Sequence, residues 1–243
     1  MGNSTMTSAK ILINYTTRGR PERFFDGLET IYTLCSDVDN IRVLVTCDYD
    51  DTSMFNPLVK NRIEGYKNIH LIYGKSEGKI HAINRDLDLL PEEWKDWDIV
   101  ANFSDDMRWN VFGWDGAIRA DFFVYSPDYS HYMAYLDVDT KGALSTLYIA
   151  GRKFFDTFGF IYDPQFKSLF ADNLIEDCAK RMGKYKYIPY SIYSHLLPSY
   201  GHLPPDEMYL QQQAIGWDVD QKLYHQIQGD GIDNYLLALG VKL

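Results

Sequence analysis

Two adjacent carboxylates close the last of four apolar runs in the first half of the sequence. That run begins at Asp98, and Ser104, Asp105 and Asp106 end it. Carboxylate oxygens are the hard ligands that a divalent cation takes, and at a strand end they suit a cation that bridges phosphate groups. Pairs of the form Asp-x-Asp occur at several places in the chain, and Ser104-Asp105-Asp106 is distinguished only by its position at the end of the fourth run. The alternative is a polar turn, where Asp is common.

Three other strand-end positions carry residues suited to a nucleotide. Thr16 and Arg18 follow the first apolar run, where a basic group suits a phosphate. Asp48 follows the second run, where a carboxylate can accept the imide N–H of uracil and reject cytosine; an Asx turn is the alternative. Gly78 and Lys79 open a predicted helix, and a helix N-terminus with a lysine can hold a diphosphate. A solvated lysine is the alternative there.

A regular succession of strands and helices must position these residues. The four apolar runs show little polar alternation, which predicts strands buried on both faces. They begin at Ile11, Ile41, Ile69 and Asp98. Helical patterns fill the gaps at 21–35, 57–66 and 79–90. Such repetition predicts an α/β fold with parallel strands, and ligands bind to these sheets at the carboxyl ends of the strands.

The second half of the sequence is less regular. Its apolar patterns predict strands and helices in an irregular order. The strands are predicted at 129–138 and 147–155, and the helices at 112–121, 172–182 and 205–215. The helix at 172–182 has acidic residues early and basic residues late, as the helix dipole favours.

Composition and missing motifs exclude several classes of protein. The net charge of -10 and the absence of a Lys/Arg run give no indication of nucleic-acid binding. Neither GxGxxG nor GxxxxGK[ST] occurs, so a dinucleotide-binding fold and a P-loop have no local support. The chain has no signal-peptide pattern and no apolar run of about 18 residues. With three cysteines and no CxxC spacing, we expect a cytoplasmic protein with reduced thiols and no membrane span.

Residues 10–112 resemble the inverting glycosyltransferases of the GT-A type, particularly the large family 2-like group. The shared features are a first strand that runs into a nucleotide loop, an Asp-rich turn after the second strand, and Gly78-Lys79 with nearby Asn84. Ser104 stands where the family's DxD motif has its first acid, which moves the expected roles to Asp105 and Asp106. The resemblance implies a GT-A (Rossmann-like) three-layer α/β fold with a mostly parallel central sheet.

The second half resembles the same group through the segment Phe170-Ala171-Asp172-Asn173 and the segment His195-Leu196-Leu197-Pro198. The resemblance implies that Asp172 is the catalytic base; the alternatives are a helix N-cap role for Asp172 and a base at Glu176 or Asp177. It also implies that His195 joins Asp106 as a metal ligand. His202 is a second candidate for this ligand. The alternative is that His195 has only a structural role.

The resemblance implies a transferase that moves a sugar from a nucleotide-diphosphate sugar, expected to be UDP-linked, to an acceptor hydroxyl with Mn²⁺ or Mg²⁺. Thr16, Arg18, Asp48, Gly78, Lys79 and Asp105 are expected to bind the donor. Residues 1–9 are expected to be a flexible N-terminus, 10–112 the donor-binding half and 113–243 the acceptor-binding half. The alternatives are a nucleotidyltransferase, for which 16–20 is a poor match, and a nucleotide-sugar-binding protein without transferase activity.

Overall fold

The four apolar runs form a parallel sheet in the computed structural model, which describes residues 9–138, 140 and 144–242. The strands are β1 (Ile11–Thr16), β2 (Ile41–Asp48), β3 (Ile69–Gly74) and β4 (Ile99–Ser104), in the order β3-β2-β1-β4. Thr16 of β1 lies beside Thr46 of β2 and Ser104 of β4. The carboxyl ends of these strands therefore lie level at one edge, and the predicted parallel sheet is confirmed.

Three strands from the second half extend the same sheet. They are β6 (Tyr132–Tyr135), β7 (Tyr148–Gly151) and β8 (Tyr185–Ile188), which continue the order as β4-β7-β6-β8. Strand β7 is antiparallel to both of its neighbours, whereas β8 is parallel to β6. Two short strands, β5 (Met107–Trp109) and β9 (Tyr193–His195), pair antiparallel outside the sheet.

Helices cover both faces of the sheet. They are α1 (Pro21–Thr33), α2 (Pro57–Glu64), α3 (Lys79–Arg85), α4 (Trp114–Tyr125), α5 (Arg152–Phe158), α6 (Ala171–Arg181), α7 (Glu207–Ile215), α8 (Gln221–Asp230) and α9 (Ile232–Ala238). Proline begins α1 and α2, where its missing N–H costs no helical hydrogen bond. Asn56 caps α2 by accepting from the backbone N of Val59. A π-helical turn, Gly216–Asp220, joins α7 to α8.

The hydrophobic core has two parts, one on each face of the sheet. Ile11, Ile13 and Tyr15 of β1 pack on one side with α1 and α4. Leu12 points to the other side, where the core also contains residues of α3, α5 and α6. Successive strand residues alternate between faces, and both faces are buried, which explains the nearly uninterrupted apolar runs. The three-layer arrangement predicted from the sequence is confirmed.

Several predicted elements differ in length from the structure. The strand predicted at 129–138 covers only Tyr132–Tyr135, and the helix predicted at 112–121 covers Trp114–Tyr125. The strand predicted at 147–155 ends at Gly151, and α5 follows at once. A Cβ at Gly151 would lie 2.3 Å from the Tyr129 carbonyl oxygen. The backbone at Gly151 therefore packs directly against the backbone at Tyr129, which leaves no room for a side chain. The helix predicted at 79–90 ends at Arg85 and is followed by a 3-10 turn. The buried Asp86 holds the C-cap position, and its carboxylate accepts from Thr46 Oγ1 of β2 at 2.9 Å.

Most of the predicted flexible N-terminus, residues 1–8, lies outside the described residues. Ala9 is buried, and its carbonyl accepts from Arg119 Nε at 2.8 Å. Among the described residues no helix combines the length and the apolar character needed to cross a membrane. Cys35, Cys47 and Cys178 are all free thiols, and the last two are buried.

Candidate active site

A cavity of about 520 Å³ opens at the carboxyl ends of β1, β2 and β4. Its volume is typical of a small-molecule site. The nine residues to which the sequence analysis gave a role, leaving its alternatives aside, all line it: Thr16, Arg18, Asp48, Gly78, Lys79, Asp105, Asp106, Asp172 and His195. The fold thus brings together residues from both halves of the chain, although their roles stay predictions.

Asp106 and His195 meet through the pairing of β5 with β9. Met107 lies opposite His195 in that ladder, and His195 Nε2 lies 3.4 Å from Asp106 Oδ1. Ser104 Oγ donates to the same carboxylate oxygen. Although burial acts in the opposite direction, His195 and Ser104 hold the pKa of Asp106 well below its ordinary value. Asp106 is therefore an anion at neutral pH, with an imidazole nitrogen beside it.

Asp105 is almost fully buried and faces different partners. Arg20 Nη1 donates to its Oδ1 and Thr17 Oγ1 to its Oδ2, both at 2.9 Å. Burial and the adjacent Asp106 raise the pKa of Asp105 to about 6, against the opposing effects of Arg20 and Thr17. Of the two carboxylates, Asp106 faces the histidine, whereas both oxygens of Asp105 accept from the protein.

Asp106 and His195 are the two residues predicted from the sequence to be metal ligands. Within the described ranges, no group of three or more His, Cys, Asp or Glu side chains could hold a metal ion. A carboxylate oxygen and an imidazole nitrogen suit Mn²⁺, and Mg²⁺ is commonly held by one or two carboxylates together with substrate phosphates. The two side chains fit a cation that takes its remaining ligands from a bound phosphate and from water.

Asp48 sits in a cluster of donors at the other end of the cavity. Its Oδ2 accepts from Arg18 Nη1 at 2.7 Å. Its Oδ1 accepts from Ser76 Oγ at 2.6 Å and from Arg85 Nη1 at 2.9 Å. Arg85 also donates to both oxygens of the buried Asp86. The sequence analysis missed Arg85. Its position in the last turn of the helix that follows β3 could have indicated that it lies near the strand ends.

Gly78 and Lys79 lie where α3 begins. Gly78 has a φ of 147°, a conformation that residues with a side chain rarely adopt, and it leads the chain from β3 into the helix. Lys79 is the first helical residue, and it lines the cavity with Asp106 and Asp172. Because α3 has only seven residues, Lys79 is a more substantial source of positive charge here than the helix dipole.

Asp172 is the second residue of α6, and Phe170, with a φ of 62°, holds the N-cap position. The N-cap alternative for Asp172 is therefore wrong. Its Oδ1 accepts from the backbone N of Asn173 at 3.0 Å, and no side chain in the described part of the chain donates to it. Burial raises the pKa of Asp172, while the charges of Lys79 and His195 lower it to a smaller extent.

The two alternative bases do not line the cavity. Glu176 is buried and pairs with Lys180 at 2.6 Å. Asp177 accepts from Tyr224 OH at 2.6 Å. His202, the spare histidine, is not among the lining residues either.

Two further features of the cavity wall come from the C-terminal region. Met208 and Tyr209 of α7 line the cavity. The loop at 167–169 also lines it, and the buried Asp220 holds this loop by accepting from the backbone N of all three residues at 2.7 to 2.9 Å. Both features were missed by the sequence analysis, since no local pattern links residues so far apart in the chain.

Solved structures of nucleotide-sugar enzymes share this fold. The chain is 15% identical to the mannosyltransferase PcManGT from Pyrobaculum calidifontis, solved in complex with GDP-Man and Mn²⁺; the TM-score is 0.61, over 79% of this chain and 59% of that one. It is 12% identical to S. aureus TarS 1-349 in complex with UDP-GlcNAc, with a TM-score of 0.57 over 76% of this chain and 58% of that one. TarS 1-349 without ligand gives a TM-score of 0.54, over 95% and 80% of the two chains, at 12% identity.

These likenesses establish that the chain shares the GT-A fold of these solved structures. The chain spans less than two thirds of the mannosyltransferase and of the TarS chain with UDP-GlcNAc. No protein-family model matches the sequence, and no curated protein matches it.

Proposed function

We propose that the protein is a glycosyltransferase that moves a sugar from a nucleotide-diphosphate sugar to an acceptor hydroxyl. The observation that carries this proposal is the single cavity at the sheet edge, because it gathers strand-end acids, a lysine, a histidine and an isolated carboxylate from both halves of the chain. The shared fold adds support, since PcManGT and TarS were solved with GDP-Man and with UDP-GlcNAc.

The residues of 10–112 bind the donor in this proposal. Asp48 accepts from the base, and its pairing with Arg18, Ser76 and Arg85 fixes the position of its carboxylate. A fixed carboxylate favours the imide N–H of uracil, so UDP is the proposed nucleotide. Thr16 and Arg18 lie beside the nucleoside, and Lys79 offers its ammonium group to the diphosphate. Asp105 accepts hydrogen bonds from Thr17 and Arg20 and so holds the segment that follows β1 in place beside the donor.

Asp106 and His195 would hold Mn²⁺ or Mg²⁺ against the diphosphate. When bound, the cation would neutralise negative charge on the leaving nucleoside diphosphate. The distance of 3.4 Å between His195 Nε2 and Asp106 Oδ1 supports this assignment. PcManGT, which shares the fold, was solved with Mn²⁺.

The residues of 113–243 bind the acceptor and supply the base. Asp172 removes the proton of the acceptor hydroxyl as that oxygen attacks the anomeric carbon of the donor. The bond from the anomeric carbon to the diphosphate breaks, the new glycosidic bond forms, and a single displacement inverts the anomeric configuration. A carboxylate that has a raised pKa, and to which no side chain of the described residues donates, suits this role.

The arginines near the first strand do not favour the nucleotidyltransferase alternative. A nucleotidyltransferase needs free basic groups for a triphosphate, whereas Arg18 pairs with Asp48 and Asp50. Arg20 likewise pairs with Asp105 and Asp206. Among the described residues the cavity therefore offers two lysines without an ion pair, Lys79 and Lys167, and no unpaired arginine beside the first strand.

A donor screen tests the proposal. The purified chain is first melted with UDP, GDP or ADP in Mn²⁺, and UDP is expected to give the largest rise in Tm. A ligand at 100 times its Kd adds about 2.7 kcal/mol to the free energy of unfolding. A larger shift with GDP or ADP would contradict the choice of base.

The chain is then incubated with UDP-sugars and Mn²⁺ without acceptor, and the products are separated by chromatography. Slow release of UDP is expected, because water replaces the acceptor, and Asp172→Asn is expected to lose it. Binding without release would instead identify a binding protein. Pyrophosphate as the product would identify a nucleotidyltransferase.

A further inference from the structure

His195 makes a second contact on the side of its ring that faces away from Asp106. Its Nδ1 lies 2.7 Å from Oγ1 of Thr146. The same Oγ1 lies 2.5 Å from Oδ2 of Asp137. Asp137 is 2% exposed and His195 is 8% exposed, and Thr146 between them is half-buried at the cavity wall.

The direction of these hydrogen bonds follows from counting hydrogens. A carboxylate only accepts, so the one hydroxyl hydrogen of Thr146 points at Asp137. Thr146 Oγ1 must then accept from His195, which places a hydrogen on Nδ1. In a neutral ring the other nitrogen, Nε2, carries a lone pair, and Nε2 is the atom that lies 3.4 Å from Asp106.

We propose that Thr146 and Asp137 are positioning residues that fix the neutral His195 ring as its Nδ1–H tautomer and so present the Nε2 lone pair to a divalent cation. The inference rests on the proposed metal site of Asp106 and His195. Histidine ligands to metals commonly donate their other ring N–H to a carboxylate or another acceptor, which fixes the ring and makes the ligand more basic. Here the hydroxyl of Thr146 relays that interaction from a buried carboxylate.

Nuclear magnetic resonance of the wild-type chain tests the tautomer without any metal. Histidine side chains are labelled with ¹⁵N, the spectrum is taken at alkaline pH, where the ring is neutral, and His195→Gln assigns the signal. Protonated Nδ1 and unprotonated Nε2 are the expected result. Protonated Nε2, or a mixture of the two tautomers, would overturn the inference and leave the proposed function untouched.

Metal affinity tests the consequence. Free Mn²⁺ is measured by electron paramagnetic resonance in the presence of UDP, for the wild type and for Thr146→Val, which keeps the shape of the side chain and removes its hydroxyl. We expect Thr146→Val to weaken Mn²⁺ binding about 10-fold or more. Thr146→Ser restores the hydroxyl and is expected to restore the affinity. Ser145→Ala removes the neighbouring buried hydroxyl, which donates to the Leu147 carbonyl and not to His195, and is the matched control.

The outcomes separate the two proposals. If the wild type binds no Mn²⁺ with UDP, the metal part of the proposed function fails and the inference fails with it. If the wild type binds Mn²⁺ and Thr146→Val binds it equally well, only the inference fails. Thermal unfolding is measured on each variant. If Thr146→Val is unfolded, the inference is tested by the tautomer of the wild type and by the Mn²⁺ affinity of Thr146→Ser.

Discussion

Arg20 and Asp206 form a two-point ion pair, with Arg20 Nε 2.7 Å from Oδ2 and Nη2 2.6 Å from Oδ1. Asp206 is also the N-cap of α7, since its Oδ1 accepts from the backbone N of Tyr209 at 2.9 Å. Arg20 in turn donates to Asp105. One carboxylate therefore begins a helix of the cavity wall and links that helix to the strand-end acids.

Asp206→Ala is expected to loosen α7 more than Asp206→Asn. Asn keeps an acceptor for the helix N-terminus and loses the ion pair, whereas Ala loses both, and loss of an N-cap costs about 1 kcal/mol. Hydrogen exchange of the α7 amides measures the effect. Asp218→Asn is the control, because its pair with Lys222 is exposed and such pairs contribute little. Equal protection of α7 in both Asp206 variants would count against this role.

Asp106→Asn is expected to weaken UDP binding in Mn²⁺ by about 10-fold or more, because an amide is a poorer ligand for a divalent cation. In EDTA the variant and the wild type are expected to bind UDP equally. Isothermal titration calorimetry under both conditions gives the comparison. Asp88→Asn, at an exposed position, is the control. Equal UDP affinity of Asp106→Asn and the wild type in Mn²⁺ would refute the assignment.

Arg85→Met is expected to lower the free energy of unfolding by about 3–5 kcal/mol, since it removes the arginine paired with the buried Asp86 and one of the two arginines paired with Asp48. The Asp86 and Asp48 side chains are 1% and 9% exposed and both pair with Arg85. Urea unfolding measures the change. Lys60→Met, at a side chain that is 53% exposed, serves as the control and is expected to change little. A loss below about 1 kcal/mol for Arg85→Met would mean that the cluster tolerates the missing charge.

Asp172→Asn is expected to reduce turnover by about 100-fold or more, because an amide cannot accept the proton. Stability and donor affinity are expected to stay near the wild-type values, since Phe170 and not Asp172 holds the N-cap position. Donor hydrolysis, thermal unfolding and UDP calorimetry separate these three quantities. Asp177→Asn changes a carboxylate on the same helix that faces Tyr224 instead of the cavity. If Asp172→Asn retains full turnover, another group is the base.

The pH dependence of turnover gives an independent check on Asp172. Burial raises the pKa of Asp172, against the smaller effects of Lys79 and His195. A base acts when deprotonated, so kcat is expected to be constant above this pKa and to fall as the pH decreases through it. Because the pKa is raised, the fall begins above the ordinary aspartate value of about 3.9. A profile of kcat against pH that stays flat down to that value would contradict the assignment.

The first half of the fold could be predicted because its information is local. The runs at Ile11, Ile41 and Asp98 form strands buried on both faces, as their apolar character predicts. The run at Ile69 forms β3, which lies at the edge of the sheet and is only half-buried. Once the strands are parallel, the rule that ligands bind at their carboxyl ends places Thr16, Asp48 and Asp106 at one edge. The position of the cavity followed from that rule.

The second half resisted prediction because its short strands depend on distant partners. Strand β9 has three residues and forms only by pairing with β5. In the apolar run at 147–155 the strand ends at Gly151 and a helix follows. The sequence does not show this boundary, because apolar residues such as Phe154 and Phe155 occur in buried helices as well as in strands. No spacing in the sequence links Arg20 to Asp206, or Thr146 to His195. Such contacts follow only from the tertiary structure.

The ladder between β5 and β9 also affects the order in which parts of the protein can fold. Strand β5 directly follows the parallel sheet, whereas its partner lies far along the chain. During synthesis β1 to β4 leave the ribosome first, and Asp106 leaves with them, well before His195 is made. Closing such a long loop is slow compared with pairing close neighbours. A nascent chain can therefore complete its parallel strands before Asp106 has its histidine partner, so a dependence of nucleotide binding on Mn²⁺ would indicate that the ladder between β5 and β9 has formed.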